Sequence, residues 1–233
     1  MKLAIFSDIH GNYQALKAIF NKIGNTYDEI IFLGDAIDIG PDSLECVKML
    51  QKNNVKFVLG NHDLYYTRGP KIDSDLQGLK LDHHNWTEKQ LKGIKIQDRK
   101  NNEDLRYDIE YKGIKLSFIH FFINNEKYPF EHLDILKDDR YKEVFQKEKA
   151  DYVFYGHNHD EDFHEIDGTK YYGIGSSGCT KDDNTYYYSI EINDRKVDIK
   201  KIDFKYDRNS FERRINSLNY PDIKAIKSIF FGL

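Results

Sequence analysis

The 233-residue chain is 39% hydrophobic and 14% aromatic, enough to bury a full core without disulfides or a structural metal. Its net charge of −4 argues against gripping nucleic acid through a basic face, so no stable nucleic-acid complex is expected, while bound divalent cations would still admit an anionic substrate. No apolar run approaches the roughly 20 residues of a membrane span, and Met1-Lys2 leads directly into an apolar run and a motif, so neither a membrane partner nor a cleaved signal is expected.

In chain order, Leu3 to Phe6 reads as a buried strand, and Asn12 to Ile23 as a helix with Ala15, Leu16, Ile19, Phe20 and Ile23 at helical spacing. Ile30 to Leu33 is the next strand, and Pro41 opens a helix carrying Leu44, Val47, Met49 and Leu50. Val55 to Leu59 is the third strand. The pattern from Asp63 to about Arg99 is irregular, with short helical stretches such as Glu88 to Ile96. Asp104 to His120 reads as a hairpin turning at Lys112-Gly113, and a polar helical stretch from about Lys137 to Lys149 leads into strand Tyr152 to Tyr155. Strands then follow at Phe163 to Ile166, Lys170 to Ile174, Tyr186 to Ile192 and Lys196 to Phe204, with turns at Asp167-Gly168 and Asn193-Asp194. Two short helices, after Arg208 and after Pro221, finish the chain. Strands alternating with amphipathic helices in the first half indicate an α/β fold, and one domain over residues 1–233 is expected.

Five apolar runs each end in metal-capable side chains: Asp8-Ile9-His10, Gly34-Asp35-Ala36-Ile37-Asp38, Gly60-Asn61-His62-Asp63, His120 and Gly156-His157-Asn158-His159. Ligands of an open α/β sheet bind outside the carboxyl ends of its strands, so five such ends can converge on one site. Asp, Asn and His supply oxygen and nitrogen donors without thiolate, a set suited to Mn²⁺, Fe²⁺ or Zn²⁺. The two cysteines, Cys46 and Cys179, follow no ligand spacing and are expected to be reduced packing residues of a cytoplasmic protein.

In that order and spacing the motifs resemble the calcineurin-like metallophosphoesterase superfamily, most of all its small single-domain prokaryotic phosphodiesterases and diadenosine-tetraphosphate hydrolase-like members. The tail, with Gly175-Ser176-Ser177-Gly178, a closing hairpin and Tyr206-Asp207, resembles the same subgroup. The resemblance implies two mixed β-sheets packed as a sandwich and flanked by helices. It also implies a phosphoesterase that hydrolyses a small phosphodiester or phosphoanhydride substrate of nucleotide type through a hydroxide bridging two divalent cations, Mn²⁺ foremost. By position it puts Asp8, His10, Asp35 and His159 on one cation, with Asp35 bridging to a second completed by Asn61, His120 and His157. His62 is then the leaving-group acid, Asp63 beside it orients or charge-stabilises the imidazole, and Asp38 stands behind the ligands.

Eukaryotic-type protein phosphatases of the superfamily follow the second motif with Arg-Gly and end the third in Glu. Here Asp38-Ile39-Gly40 and Asn61-His62-Asp63 stand instead, which ranks a phosphomonoesterase or protein serine/threonine phosphatase second. A non-catalytic scaffold such as the retromer subunit ranks third, because every ligand position and His62 are present. Asn12, Arg68 and Lys181 are candidate substrate contacts; Phe121-Phe122 after His120 offer a narrowed cleft or a stacking wall, with core or rim packing ranked first for Phe121. His83, His84, His132 and His164 are expected at the surface.

Overall fold

The first strand, β1 (Lys2–Phe6), pairs in parallel with β2 (Glu29–Phe32), and β2 with the two-residue β3 (Lys56–Phe57). Helices α1 (Tyr13–Ile23) and α2 (Ser43–Lys52) make the crossovers, as parallel pairing requires. Antiparallel β9 (Asn184–Asn193) and β10 (Lys196–Lys205) extend the other edge, giving the order β10-β9-β1-β2-β3. The second sheet has the order β4-β5-β6-β8-β7, from β4 (Arg106–Tyr111), β5 (Ile114–Ile119), β6 (Tyr152–Tyr155), β7 (Glu161–Ile166) and β8 (Thr169–Ile174). Both sheets are mixed. The computed structural model describes all residues except 74–75, 97–99, 125–128, 132, 134–135, 137–139 and 195.

Side-chain alternation explains the layering. Leu3, Ile5, Ile31 and Leu33 point toward the second sheet and pack with Leu116, Phe118 and Phe154. Ala4, Phe6 and Phe32 point the other way and pack with Leu16, Ile19, Val47 and Leu50 of the helices. A strand buried on both faces reads as a continuous apolar run, which is why these strands are plain in the sequence. Among the described residues no helix is long and apolar enough to cross a membrane.

The segment read as irregular holds two helices. Helix α3 (Asn61–Arg68) begins on the third motif itself, and α4 (Leu79–Leu91) buries His83, His84, Thr87 and Leu91. A buried stripe made largely of polar residues gives no apolar period, so the helical stretch read over Glu88 to Ile96 catches only the last turn of α4, which ends at Leu91. Helix α5 (Arg140–Phe145) falls in the polar helical stretch expected from Lys137, part of which lies outside the described residues. Helices α6 (Arg208–Asn216) and α7 (Ile223–Ile226) close the chain, the latter running on into a π-helical turn, Lys227–Phe231.

Candidate metal centre

The carboxyl ends of β1 and β2 leave their sheet as linked loops. The Asp8 N–H donates to Gly34 O (3.0 Å), that of His10 to Asp35 O (2.9 Å), and that of Gly11 to Ala36 O (3.0 Å). These bonds hold Asp8, His10, Asp35 and Asp38 at φ of 51°, 45°, 61° and 63°, and His157 and His159 have φ of 72° and 63°. Left-handed backbone is costly for residues with a Cβ and persists where surrounding structure imposes it. Gly60 permits a close approach: a Cβ there would lie 2.1 Å from Asp35 Oδ1.

The side chains form two donor clusters. In the first, His10 Nε2 is 3.0 Å from His159 Nε2, and Asp8 Oδ1 lies 3.4 Å from His159 Nε2. In the second, His120 Nε2 is 3.0 Å from Asn61 Oδ1 and 3.2 Å from His157 Nδ1. Asp35 Oδ2 stands between them, 3.6 Å from His10 Nε2 and 3.4 Å from His120 Nε2. The seven ligand positions read from the motifs are thus brought together.

Three observations fit this set to cations. His10 Nδ1 donates to Ile37 O (3.0 Å) and His120 Nδ1 to Leu33 O (2.7 Å), leaving each Nε2 to carry a lone pair into its cluster in the neutral ring. The Asn61 amide nitrogen donates to Tyr65 Oη (3.2 Å), which turns Oδ1 toward His120. Asp8 Oδ1 is buried and has no hydrogen-bond partner among the described residues, an expensive state for a carboxylate oxygen unless a ligand meets it.

Charge within the clusters alternates. Burial opposes ionisation of Asp8 and Asp35, yet the histidines hold both below the ordinary carboxylate range. Burial likewise opposes charge on His120, but Asp35 pushes it up to about 9, while burial and the charge on His120 push His157 down to about 3. In the other cluster, burial is outweighed at His159 by the adjacent Asp8 carboxylate, which raises it, and burial lowers His10. Each cluster therefore favours one positive charge beside its carboxylates.

His62 is oriented by Asp38, whose Oδ2 accepts from His62 Nδ1 and from His84 Nδ1, both at 2.9 Å. Burial works against its charge, but Asp35 and Asp38 together hold its pKa above the ordinary histidine value. The expected orienting contact from Asp63 is therefore corrected. Asp63 accepts from the N–H groups of Asp35 (2.8 Å), Gly60 (3.0 Å) and Ala36 (3.1 Å), so it clamps two ligand loops, and only its charge reaches His62.

Other expectations are also corrected. His83 and His84 are buried, at 5% and 2% exposure. His83 Nε2 accepts from the N–H of Ile39 (2.8 Å), and Tyr220 Oη donates to Ile39 O (3.1 Å), fixing a β-branched residue at φ 61°. Asn12 uses both ends of its amide on backbone, capping α1 at Ala15 N (3.0 Å) and donating to Gly178 O (2.8 Å), and is not a substrate contact. Phe121 and Phe122 do not form a cleft wall: both are fully buried, Phe121 packing behind the His157 ring at 5.0 Å between centroids. His164 is half-buried against Tyr141 and Phe145, and His132 lies outside the described residues.

Two cavities open on this site. One of about 550 Å³ is lined by Asp35, His62, His157, His159 and Lys181. The other, about 430 Å³, lies against His62, Tyr65, Leu76 and Phe230. Lys80 borders both, and Arg68 is not among the described residues lining either. A larger cavity of about 910 Å³, near Leu50, Tyr66 and Ile94, holds none of the cluster residues. Lys80 and Cys179 escaped the sequence reading. Lys80 does have a signal there, because it stands three and four residues before His83 and His84 on one helix face.

Residues 1–195 match the calcineurin-like phosphoesterase superfamily domain. The chain is 32% identical over 236 residues to the uncharacterized protein MJ0912 of Methanocaldococcus jannaschii, covering 87% of each. It is 39% identical over 69 residues to the symmetrical bis(5'-nucleosyl)-tetraphosphatase of Haemophilus ducreyi, a match spanning 28% of this chain and 26% of that protein. Among solved structures, hypothetical protein PH1004 from Pyrococcus horikoshii OT3 superposes with a TM-score of 0.73 at 18% identity, covering 100% of this chain and 98% of that one. A metallophosphoesterase from Sphaerobacter thermophilus superposes at 0.63 with 19% identity and 97% of each chain covered. At those identities the two structures share the fold.

Proposed function

The chain belongs to the calcineurin-like phosphoesterase superfamily, and from that premise we propose that it hydrolyses a phosphodiester or phosphoanhydride bond in a small, nucleotide-type substrate. The observation that carries the reading is the sharing of Asp35 Oδ2 by two donor clusters, one of which contains a buried carboxylate oxygen that makes no hydrogen bond to a described residue. Membership supports a phosphate-ester hydrolase that uses divalent cations. The short likeness to the tetraphosphatase supports a nucleotide-type substrate.

Asp8, His10, Asp35 and His159 would hold one cation, and Asp35, Asn61, His120 and His157 the other, with Mn²⁺ our first choice and Fe²⁺ or Zn²⁺ the alternatives. When bound, the pair supplies Lewis acidity that neutralises an anionic phosphate and makes water acidic enough to attack at neutral pH. His62, whose pKa Asp35 and Asp38 raise against the effect of burial, donates its proton to the leaving oxygen. Asp38 fixes the ring through Nδ1 and so directs the other nitrogen to that task. Asp63 keeps the Asp35 and Gly60 loops in register, and Lys80 and Lys181 at the cavity edge draw an anionic substrate in. We take residues 1–233 as one catalytic domain. The two free cysteines support a reducing, cytoplasmic setting.

The test is Mn²⁺-dependent hydrolysis of a chromogenic phosphodiester beside the matching monoester, with His62→Ala as control. The reading expects diester turnover that needs the cation and falls by about 10²–10⁴-fold in the variant. Turnover of the monoester alone would assign a phosphatase instead.

A further inference from the structure

Cys179 follows a strap, residues 175–178, that lies across the Asp8–His10 loop and is tied to it at several points. The Ser177 N–H donates to Ser7 O (3.0 Å), and the Gly178 N–H to Asp8 O (3.2 Å). The Ser176 hydroxyl donates to Asp8 O (2.7 Å), and Asn12 Nδ2 to Gly178 O (2.8 Å). Only glycine fits at 178, because a Cβ there would stand 2.1 Å from Ile9 O. The Cys179 N–H in turn donates to Ser176 Oγ (2.8 Å), so the position of Cys179 is fixed by the same bonds that fix Asp8.

That position brings sulfur to the first cluster. Cys179 Sγ and a ring nitrogen each of His10 and His159 all lie within 4.8 Å of one another. A triangle of that size can surround one ion after small adjustments, given typical distances of about 2.3 Å to sulfur and 2.0–2.1 Å to nitrogen for Zn²⁺. Asp8 Oδ1, buried and without a hydrogen bond to a described residue, faces the same two rings, 3.7 Å from His10 Nε2 and 3.4 Å from His159 Nε2. Among the described residues the other cluster, Asp35, His120 and His157, has no sulfur.

We propose that Cys179 is a further ligand of the cation held by Asp8, His10 and His159, and that it biases this position toward thiophilic Zn²⁺ over Mn²⁺. The proposal rests on the reading that the clusters hold cations. Coordination forms a metal–sulfur bond and releases the thiol proton to solvent. Thiolate favours Zn²⁺, while the oxygen and imidazole set around Asp35, Asn61, His120 and His157 accepts Mn²⁺. The two positions then differ in metal preference, although sequence spacing gave Cys179 only a packing role.

Co²⁺ titration of the metal-stripped full-length protein tests this. A thiolate-to-cobalt charge-transfer band in the near ultraviolet is expected, and it can arise only from Cys179, because Cys46 is fully buried in the core. Cys179→Ser should still bind two Co²⁺ but lack the band, and its preference for Zn²⁺ over Mn²⁺ should fall by about tenfold or more. Two bound Co²⁺ in the wild-type protein without the band, or an unchanged Zn²⁺ preference in the variant, overturns the proposal alone. Absence of Co²⁺ binding overturns it together with the metal reading. The wild-type spectrum decides the first arm without any variant.

Discussion

Two of the regions that contain left-handed backbone adopt it for different reasons. At the β4–β5 and β7–β8 hairpins, Lys112-Gly113 and Asp167-Gly168 have φ of 52° and 78°, and 52° and 85°. These residues are exposed, and a Cβ on either glycine would meet nothing within 4 Å. The twist of the paired strands demands such turns, and glycine makes them cheap. In the loops that follow β1 and β2 the left-handed residues other than glycine are Asp8, His10, Asp35, Asp38 and Ile39, all buried and held by bonds between loops. There the conformation serves to aim a side chain. The difference separates a turn that can vary from a loop whose strain is tied to the chemistry.

The comparison can be broken most severely at Gly60. Gly60→Ala drives a methyl group into Asp35, 2.5 Å from its backbone nitrogen, and should cost about 1–3 kcal/mol, lowering the thermal midpoint by several degrees. Hydrolysis should be lost with it, because Asp35 cannot hold its place. Calorimetry and turnover on the same preparation check both.

A second effect concerns His83, which supports Ile39 and which burial pushes down to about 4. Its unfolded value is the ordinary 6.5, so the unfolded chain binds more protons between those limits. Stability from the neutral ring is complete above pH 6.5 and is lost as pH falls through 4, by an amount on the order of 3 kcal/mol. His83→Gln retains an acceptor for Ile39, and its midpoint should fall less steeply than that of the wild type over this window. Parallel slopes would remove His83 from the account.

Asp38→Asn leaves the fold intact and weakens the hold on His62, so turnover should fall by about 10–100-fold with little change in KM. An unchanged rate would mean that His62 needs no orienting group. The smallest effect belongs to the hairpin: Gly168→Ala should cost about 1–2 kcal/mol in chemical denaturation and leave turnover unaltered. A loss of turnover there would erase the distinction between the two regions.

Much of this was legible in the sequence for a physical reason. Strands such as Leu3–Phe6 and Ile30–Leu33, buried on both faces, announce themselves as unbroken apolar runs, and the polar residues that break them are the site. The residues around that site were harder to read. His83 and His84 sit on the inward face of α4, where polar side chains replace the apolar stripe, and no spacing rule connects them to Ile39 and Asp38 forty-odd positions earlier. Asp63 adjoins His62 in sequence, but the first turn of α3 points its carboxylate back at Gly60 and Asp35. Cys179 reaches His159 only because a strap is bound to the Asp8 loop across the sheet, a contact with no signal in composition or periodicity.

Strained strand ends present two donor clusters joined by Asp35. Elemental analysis of protein equilibrated with Mn²⁺ or Zn²⁺ and freed of loose metal tests it most directly, with Asp35→Ala as the comparison. The account predicts two cations per wild-type chain and weakened retention at both positions in the variant. A wild-type chain that retains no cation, or an Asp35→Ala chain that keeps both with unchanged affinity, would contradict it.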